Sequence, residues 1–420
     1  MDLTLNIFTL NCWGIPIISK NRKERIQALA KYLINSSHTI VCLQEIWSEN
    51  DYLFLKDSLK HILPYTHYFY SGVVGSGLCV FSKWLIQDVF FHKWPLNGYI
   101  HKIHHGDWFG GKGVGLCRIR YEDKLINVYC THLHAEYHED DMYLAHRVLQ
   151  AYSTAEFVNL TSSPADVSIL AGDLNTAPGD ISFRLITQLP ALLDPFVMRC
   201  EGSNPAIAKP SGTRDNANNS YSDSRTVKNN PEGKRIDHIL FKVSPAWEAN
   251  IINFGNPLED RVPGEDFSYS DHNAVSLELR IRASRENKYN QEQQSADDRF
   301  DETIAQAIKV CQDATVIIAK SKRLFLTSDD LKLCREIHSA SDVELIQEDV
   351  DNLANWVEQN RMELNVDKCY FIRFSRQRLQ APPSYHVNGK QLKEVDSLRD
   401  LGVILDKKLR FHKHIEDISC

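Results

Sequence analysis

Three short motifs in this chain carry side chains that suit phosphoryl chemistry. Glu45 follows an apolar strand-like run, a Gly-Asp-Leu-Asn turn at 172–175 follows another, and a Ser-Asp-His triplet at 270–272 comes just before a third. Cleavage of a phosphodiester needs a cation to offset developing charge, an activated water and donors on the phosphoryl oxygens. Carboxylate, amide and imidazole groups at strand ends could supply all three, so the motifs predict a metal-dependent phosphodiesterase site.

The first two motifs suggest roles for particular atoms. Glu45 offers the hard carboxylate oxygen that Mg²⁺ prefers, and Asn11, which ends the first strand-like run, could hold the metal or a phosphoryl oxygen through its amide. Asp173 and Asn175 are two residues apart, so both leave their strand on the same side. One of them could handle a proton while the other donates to the phosphoryl oxygen.

The third motif supplies a candidate base. His272 precedes the apolar run at 274–277, and Asp237 precedes another strand-like run. If these strands converge, Asp237 can orient and charge-stabilise the His272 ring, which is then able to deprotonate water. The alternating pair His132 and His134 would suit zinc, but no cysteine or third histidine lies at zinc-site spacing.

Each motif by itself also fits ordinary structure. A glutamate after a strand is commonly a surface residue in a loop, and a turn rich in Gly, Asp and Asn needs no function. An isolated Asp-His pair is commonly a helix cap or a surface pair. The catalytic interpretation therefore depends on all the motifs meeting at one place in the fold.

Composition limits the alternatives. The 420 residues exceed one ordinary domain, and a hydrophobic content of 43% is enough for one substantial core, so two regions are expected. A net charge of −7 does not favour nucleic acid as a partner, although a local basic cleft stays open. The ten cysteines include no Cys-x-x-Cys pair, which indicates buried thiols in a reducing compartment.

The N-terminus and the apolar runs predict a cytoplasmic protein. The first residues alternate like a strand and have an acid at position 2, so they lack the basic and apolar regions of a signal peptide. No run approaches the roughly 18 to 20 apolar residues that a membrane-spanning helix requires. If the substrate is a lipid, the protein is expected to meet membranes at their surface.

Residues 1–281 have the pattern of an α/β fold. Short strand-like runs alternate with amphipathic helical stretches and polar loops, which predicts a two-sheet sandwich. The expected strands lie near 3–11, 39–43, 78–81, 125–131, 167–171, 236–241 and 274–281. Every candidate motif falls at a strand end, where a rigid scaffold commonly presents chemistry.

The expected domain organisation has three parts. A phosphodiesterase domain covers 1–282, a linker covers 283–324, and a smaller α+β piece covers 325–420. Residues 283–302 are dense in charge and contain four apolar residues, so they are expected to bury too little surface to become ordered. A helix is expected further on, from an apolar stripe that consists of Val343, Ile346, Val350, Leu353 and Val357.

Longer strings carry a family resemblance. They read Asn-Cys-Trp-Gly-Ile-Pro at 11–16, Ser-Gly-Val-Val-Gly-Ser-Gly at 71–77, His-His-Gly-Asp-Trp-Phe at 104–109 and Thr-His-Leu-His-Ala-Glu-Tyr at 131–137. Together with the motifs above, they make residues from about 4 to 281 resemble the neutral sphingomyelinases of the endonuclease/exonuclease/phosphatase superfamily. This resemblance implies a four-layer, two-sheet α/β sandwich that hydrolyses sphingomyelin to ceramide and phosphocholine.

The resemblance also implies a role for each site residue. The Mg²⁺ cofactor would be held by Glu45, Asn11 and Asp271. The catalytic residues would be His272 as general base, Asp237 as the group that orients it, Asp173 at the phosphoryl group and His132 as a stabiliser of transition-state charge. Substrate would be contacted by Asn175, Asn11, Lys112 and Asp107, of which the last two are similar to the aspartate–lysine switch of the family.

The implied partner is sphingomyelin or a related choline lipid at an intracellular membrane surface. The family branch that this chain resembles commonly continues into two C-terminal transmembrane helices, which the sequence does not contain. The chain is therefore expected to be peripheral, and its oligomeric state is left open.

From about residue 324 the chain resembles the palm and thumb of a non-LTR retrotransposon reverse transcriptase. The strings that carry this resemblance lie at 324–333, 364–369 and 401–406, although a Thr-Ser pair replaces the expected aromatic-Ala pair before Asp329 and Asp330. Two alternatives follow: the chain could be the endonuclease of a retrotransposon protein, or an inactive fusion product. Only 58 positions separate Asp271 from Asp329, too few for the fingers and first palm aspartate of a working polymerase.

Overall fold

A computed structural model gives the fold of the chain. It describes residues 2–16, 18–72, 75–94, 96, 111–136, 141, 143–201, 212–284, 293–320, 325–326, 331–332, 339–359, 365–366, 369–372, 384–400 and 403–406. The chain divides into two compact units, Met1–Val316 and Ile317–Cys420. The candidate site residues all belong to the first unit.

The first sheet of unit one contains six strands among the described residues. Their order is β10-β11-β1-β2-β4-β3, with β1 parallel to β2 and antiparallel to β11. The bounds are β1 Leu3–Asn11, β2 Ile40–Gln44, β3 Tyr65–Tyr68, β4 Cys79–Ser82, β10 Trp247–Gly255 and β11 Val275–Ala283. This confirms the strands expected near 3–11, 39–43, 78–81 and 274–281.

The second sheet, within the same described ranges, has five strands in the order β5-β6-β7-β8-β9. Strand β7 is parallel to β8, and β9 is antiparallel to β8. The bounds are β5 Ile86–Lys93, β6 Gly113–Tyr121, β7 Lys124–His132, β8 Val167–Asp173 and β9 Asp237–Val243. The strands expected near 125–131, 167–171 and 236–241 are therefore confirmed as well.

The two sheets pack face to face around one apolar core. Alternate residues of β1 point into it, as Leu3, Leu5 and Ile7 are buried against side chains of the second sheet such as Ile126 and Ile169. Full burial of one such aliphatic side chain stabilises the fold by roughly 1.5–3 kcal/mol. The intervening residues of β1 point to the opposite face, so each sheet needs a cover on its outer side.

Helices cover the outer faces and complete four layers. Helix α1 (Arg22–Ile34) and α2 (Glu49–Leu59) pack on the first sheet, and α3 (Leu144–Ser162) and α4 (Ile181–Gln188) pack on the second. The helical spacing recognised in α1 places Ile26, Leu29, Ala30 and Leu33 in that contact. The predicted α/β sandwich is therefore confirmed.

The expectation that residues 283–302 do not become ordered is wrong from residue 293 onward. Residues Gln293–Lys320 form helix α7, and Phe300, Ile304 and Ala307 pack against the apolar cluster of α3 and α4. Arg184 of α4 also donates a hydrogen bond to Thr303 Oγ1 at 3.5 Å. Helix α7 therefore adds to the outer layer of unit one as far as its boundary at residue 316.

The remaining elements are two short helices in unit one, and one longer helix and several short strands in unit two. Between β8 and β10, α5 (Pro195–Glu201) and α6 (Ser224–Asn229) lie in unit one. Unit two contains α8 (Ala340–Gln359), which confirms the helix expected from the apolar stripe, and its strands have these bounds: β12 Phe325–Leu326, β13 Leu331–Lys332, β14 Tyr370–Phe371, β15 His386–Val387, β16 Lys390–Gln391, β17 Lys393–Glu394, β18 Ser397–Asp400 and β19 Val403–Asp406. Asp329 and Asp330 lie outside the described residues.

Two further expectations concern thiols and membranes. Cys12, Cys42, Cys79, Cys117 and Cys130 are buried and form no disulfide, as expected for buried thiols. In the described part of the chain, no helix is both long enough and apolar enough to cross a bilayer.

Candidate active site

The candidate residues meet at one edge of the two sheets because of strand direction. Strands β1, β2, β7 and β8 end at this edge, and the antiparallel neighbours β9 and β11 begin there. On the second sheet, Asp173 stands in register with His132 of β7 on one side and with Asp237 of β9 on the other. The motifs found in the sequence therefore lie side by side although they are far apart along the chain.

Asn11 joins the two sheets at this edge. Its amide Nδ2 donates to Glu45 Oε1 at 3.0 Å and to Asp173 Oδ2 at 2.9 Å, while its Oδ1 accepts from the backbone N–H of Trp13 at 3.0 Å. Both amide protons and the oxygen are engaged, and the side chain is buried. Asn11 thus holds two carboxylates next to each other.

Glu45 has the environment of a cation ligand. Its residue has a left-handed φ of 56°, and a Cβ at Gly14 would lie 2.1 Å from its carbonyl oxygen, so only glycine fits beside it. The buried Oε2 atom has no hydrogen-bond partner within the described residues. Burial and then Asp271 raise the pKa of Glu45. A divalent cation would satisfy this oxygen and offset both carboxylates, so the donor set fits the predicted metal.

His272 and Asp237 form a buried hydrogen-bonded pair. The distance from His272 Nδ1 to Asp237 Oδ2 is 2.8 Å. Because an ionised carboxylate only accepts, Nδ1 carries the proton and Nε2 is left as the basic nitrogen. Burial by itself would lower the pKa of His272, but Asp237 and then Asp173 raise it to about 9. The predicted pairing of His272 with Asp237 is present, and their roles as base and orienting group stay predictions.

Asp173 lies between the two histidines. Its Oδ2 is 3.4 Å from His132 Nε2 and 3.9 Å from His272 Nε2. Burial and the charge of Asp237 raise its pKa to about 7. Ligand atoms of Asp173, Asp237 and His272 lie within 4.8 Å of one another, which is close enough for a metal. The sequence predicts the cation at Glu45 instead, and that assignment stays a prediction.

Lys112 adds a buried positive charge beside His132. Its Nζ is 3.4 Å from His132 Nε2 and 3.5 Å from the carbonyl oxygen of Leu133. Asp107, the expected partner of Lys112 in a switch, lies outside the described residues. The structure therefore places Lys112 at the site and leaves the switch itself a prediction.

Asn175 is held by the strand ends rather than pointing freely into the cleft. Its Nδ2 donates to the carbonyl oxygen of Leu133 at 2.9 Å, and its backbone N–H donates to Asp173 Oδ1 at 2.9 Å. Its φ of 44° is left-handed. To donate to a phosphoryl oxygen, as predicted, the amide would have to exchange Leu133 for the substrate.

Sequence reasoning missed Arg214. Its Nη1 donates to Asp271 Oδ2 at 2.7 Å and to His272 Nε2 at 2.8 Å, so it contacts a predicted metal ligand and the predicted base together. A single arginine in a polar loop carries no signal in one sequence, because charged loop residues are ordinary. Only the return of this loop to the edge of the sheets brings it to the site.

The fold and this edge define a class of protein: a two-sheet α/β sandwich in which strand ends present a His–Asp pair, a glutamate with one buried carboxylate oxygen, and hydrogen-bond donors. The family model described as "Endonuclease/Exonuclease/phosphatase family" matches residues 8–272. The chain belongs to this family.

Several relatives of this chain are named as enzymes that cleave sphingolipids. A candidate neutral sphingomyelinase of Drosophila melanogaster is 44% identical over 280 residues, which are 66% of this chain and 61% of that protein. Sphingomyelin phosphodiesterase 2 of Homo sapiens is 40% identical over 289 residues, 67% of this chain and 66% of that protein. The chain thus spans less than two thirds of both, and its resemblance to neutral sphingomyelinases is confirmed.

Two other similarities are more distant. The crystal structure of sphingomyelinase C from Streptomyces griseocarneus has 17% sequence identity and a TM-score of 0.47, and it covers 66% of this chain and 99% of that one. The RNA-directed DNA polymerase of the Drosophila melanogaster mobile element jockey is 27% identical over 107 residues, 26% of this chain and 10% of that protein. The second match agrees with the resemblance to a reverse transcriptase.

Proposed function

We propose that this protein hydrolyses the phosphodiester of sphingomyelin, or of a related choline lipid, to ceramide and phosphocholine with Mg²⁺ as cofactor. The observation that carries the proposal is the hydrogen-bonded chain from Glu45 through Asn11 to Asp173, with the His272–Asp237 pair 3.9 Å further on. The names of the relatives above support the choice of substrate. The phosphodiesterase domain is proposed to cover 1–282 and the reverse-transcriptase-like fragment 325–420.

The cation would be held by Glu45, Asn11 and Asp271. Of these, Glu45 offers the buried oxygen without a partner in the described chain, and Asp271 lies at the same edge. When bound, Mg²⁺ would offset the negative charge that builds up on the phosphoryl oxygens. The ionised form of Glu45, which burial disfavours, would be the form that binds.

His272 would act as the general base. Its Nε2 takes a proton from water while the water oxygen forms a bond to phosphorus, and the bond from phosphorus to the ceramide oxygen breaks. The ring then carries two protons and a positive charge, which Asp237 stabilises across the 2.8 Å hydrogen bond. The ceramide oxygen leaves as an alkoxide that takes a proton from solvent, and the His272 ring returns its extra proton to solvent, so charge and atoms balance.

The phosphoryl group would be met by donors on the second sheet. His132 and Lys112 can face its developing negative charge, since both are buried at the end of β7 and lie 3.4 Å apart. Asn175 would donate after releasing Leu133, and Asp173, whose pKa of about 7 permits a proton near neutral pH, would hydrogen-bond a phosphoryl oxygen. Asp107 would complete the set by pairing with Lys112.

The protein is proposed to act peripherally at the cytoplasmic face of intracellular membranes. The substrate is a lipid, and the described helices include none suited to crossing a bilayer. Nucleic acid is the alternative substrate, because this family also contains endonucleases and because of the jockey match. The net charge of −7 does not favour nucleic acid.

The test is a parallel assay of the purified full chain. Sphingomyelin in mixed detergent micelles and supercoiled DNA are each incubated with Mg²⁺ or with excess EDTA, and phosphocholine release and DNA nicking are measured. His272→Ala serves as the variant without the base. We expect Mg²⁺-dependent phosphocholine release that falls at least about 100-fold in this variant, the usual contribution of a positioned base. Nicking of DNA without lipid cleavage would favour the nuclease, and neither activity would favour an inactive fusion product.

A further inference from the structure

Arg214 uses one nitrogen to hold two groups of the proposed site. Its Nη1 carries two protons, and these go to Asp271 Oδ2 at 2.7 Å and to His272 Nε2 at 2.8 Å. When the ring is neutral with its proton on Nδ1, the second contact occupies the Nε2 lone pair through which His272 would accept the proton of water. In this arrangement the proposed base is covered by a protein donor.

The backbone of Arg214 is fixed on both sides. Its N–H donates to the carbonyl oxygen of Lys234 at 3.0 Å, and the N–H of Lys234 donates back to the Arg214 carbonyl oxygen at 2.9 Å. The neighbouring Thr213 accepts from Asn273 N–H at 2.7 Å. Gly233, with a φ of +76°, leaves room for this pairing, since a Cβ there would lie 2.3 Å from the Arg214 carbonyl oxygen. Only the side chain of Arg214 can move.

The Arg214 side chain has a second acidic neighbour, Asp215. It is 36% exposed, and its Nε lies 3.7 Å from Asp215 Oδ1, so a second carboxylate is already beside it. A rotation about the outer bonds of Arg214 would break the contacts with Asp271 and His272 and keep an ionic partner. After this rotation the guanidinium would exchange its 2.7 Å pair with Asp271 for the carboxylate of Asp215, which now lies 3.7 Å away.

The charges explain why an arginine stands here. Asp271 and Glu45 both face the edge where a cation is proposed, and two ionised carboxylates repel each other in a poorly solvated place. Without a divalent cation, the guanidinium supplies the opposite charge. With one, the guanidinium and the cation compete for Asp271.

We propose that Arg214 is the internal counter-ion of the cation-free site, and that a divalent cation has to displace it from Asp271 in order to bind. Displacement also uncovers Nε2 of His272, so arrival of the cation and exposure of the base are one event. This inference rests on the cation site of the proposed function. It assigns to Arg214 a positioning role, because Arg214 acts through Asp271 and His272.

The test measures Mg²⁺ binding without substrate. Titration calorimetry with MgCl₂ gives the Kd, and the rise of Tm with MgCl₂ gives an independent value, for the full chain and for Arg214→Gln. Lys234→Gln is the matched control: it removes a positive charge from the paired segment, but its side chain pairs with Glu136 at 2.9 Å. Arg214→Lys is the second variant, since it keeps the charge and cannot donate to both groups in the same geometry.

We expect Arg214→Gln to bind Mg²⁺ about tenfold more tightly, a change of about 1.4 kcal/mol, and Lys234→Gln to stay close to the unmodified chain. Arg214→Lys should fall between the two. In EDTA the Tm of Arg214→Gln should be lower than that of the unmodified chain, and saturating Mg²⁺ should remove the difference. A merely structural role would lower the Tm equally in both conditions.

An unchanged or weaker Kd in Arg214→Gln, with normal binding by the unmodified chain, would overturn this inference and leave the proposed function intact. A tenfold gain that Lys234→Gln reproduces would also overturn it, because general charge would then be the cause. If the unmodified chain shows no saturable binding of Mg²⁺, the proposed cation site and this inference both fail.

Discussion

Asp237→Asn tests the electrostatic part of the proposed mechanism. The change keeps the size of the side chain and removes the charge that lies 2.8 Å from His272 Nδ1. The pKa of His272 is raised from 6.5 to about 9, which corresponds to about 3 kcal/mol of preference for the charged ring. A hydrogen bond to a charged ring is worth about 2 kcal/mol, so loss of the Asp237 charge should reduce kcat/KM at its pH maximum about 30-fold.

The pH dependence of kcat/KM gives a second test, because the direction in which its acid limb moves can be predicted. The base works only when Nε2 is unprotonated, so activity falls as pH drops through the pKa of His272 in the free enzyme. Removing the charge of Asp237 lowers that pKa. The acid limb of kcat/KM should therefore move to lower pH in Asp237→Asn, even though the maximum rate is reduced.

The assay follows phosphocholine release from micelles between pH 5 and about pH 10 at one saturating Mg²⁺ concentration. Asp166→Asn is the matched control, because Asp166 accepts hydrogen bonds from Leu125 N–H at 2.8 Å and Trp247 Nε1 at 2.7 Å, away from the site. It should lower stability without moving the acid limb. A wild-type kcat/KM in Asp237→Asn, or an acid limb that stays in place, would refute the assignment of His272 and Asp237.

Three further outcomes are expected. Glu45→Gln should abolish both the Mg²⁺-dependent rise of Tm and phosphocholine release, because an amide is a weak ligand for the cation; Glu49→Gln, on the nearby helix α2, should change neither. A chain that ends at residue 284 should show a lower Tm than one that ends at 320, because it lacks α7 and exposes the apolar cluster that this helix covers. Burial and then Arg235 lower the pKa of His238 to about 4, so the free energy of unfolding should fall by up to about 1.4 kcal/mol for each pH unit below 6.5, measured by urea unfolding.

The sign of the last effect follows from proton binding. Between pH 6.5 and about 4 the unfolded chain binds a proton at His238 and the folded chain does not, so stability is complete above this range and is lost on acidification. The ring donates from Nε2 to the Thr176 carbonyl oxygen at 3.0 Å, a contact that glutamine can imitate. His238→Gln should therefore flatten the slope. An equal slope in this variant, an equal Tm in both truncated chains, or undiminished Mg²⁺ response in Glu45→Gln would each contradict the corresponding reasoning.

The sequence by itself determined seven of the eleven strands that the two sheets have among the described residues, the family resemblance, and the candidate residues that meet at one edge. Apolar residues recur about every 2 positions on the buried face of a strand and about every 3.6 positions on that of a helix. The apolar patterns of β1 and α1 could therefore be recognised without coordinates. Glu45, Asp173 and His272 follow or precede such strands, and parallel and antiparallel neighbours bring their ends to one edge. Local pattern and position were sufficient for these residues.

Helix α7 was missed because its apolar stripe begins near the end of the charge-rich segment 283–302 and continues beyond it. Residues 283–302 contain few apolar side chains, but Phe300 is the first member of a stripe that continues through Ile304, Ala307 and Cys311. Whether this stripe becomes ordered depends on an apolar surface that α3 and α4 provide from far along the chain. That surface exists only in the folded protein.

The connections between side chains were decided by the tertiary structure alone. Asn11 bridges Glu45 and Asp173 because the two sheets face each other, and Arg214 reaches Asp271 and His272 because its loop pairs with both flanking segments. Hydrogen bonds of this kind need an approach to about 3 Å, which sequence spacing does not specify for residues separated by dozens of positions. The sequence therefore supplied the chemical groups, and the packing of the sheets and loops decided which of them touch.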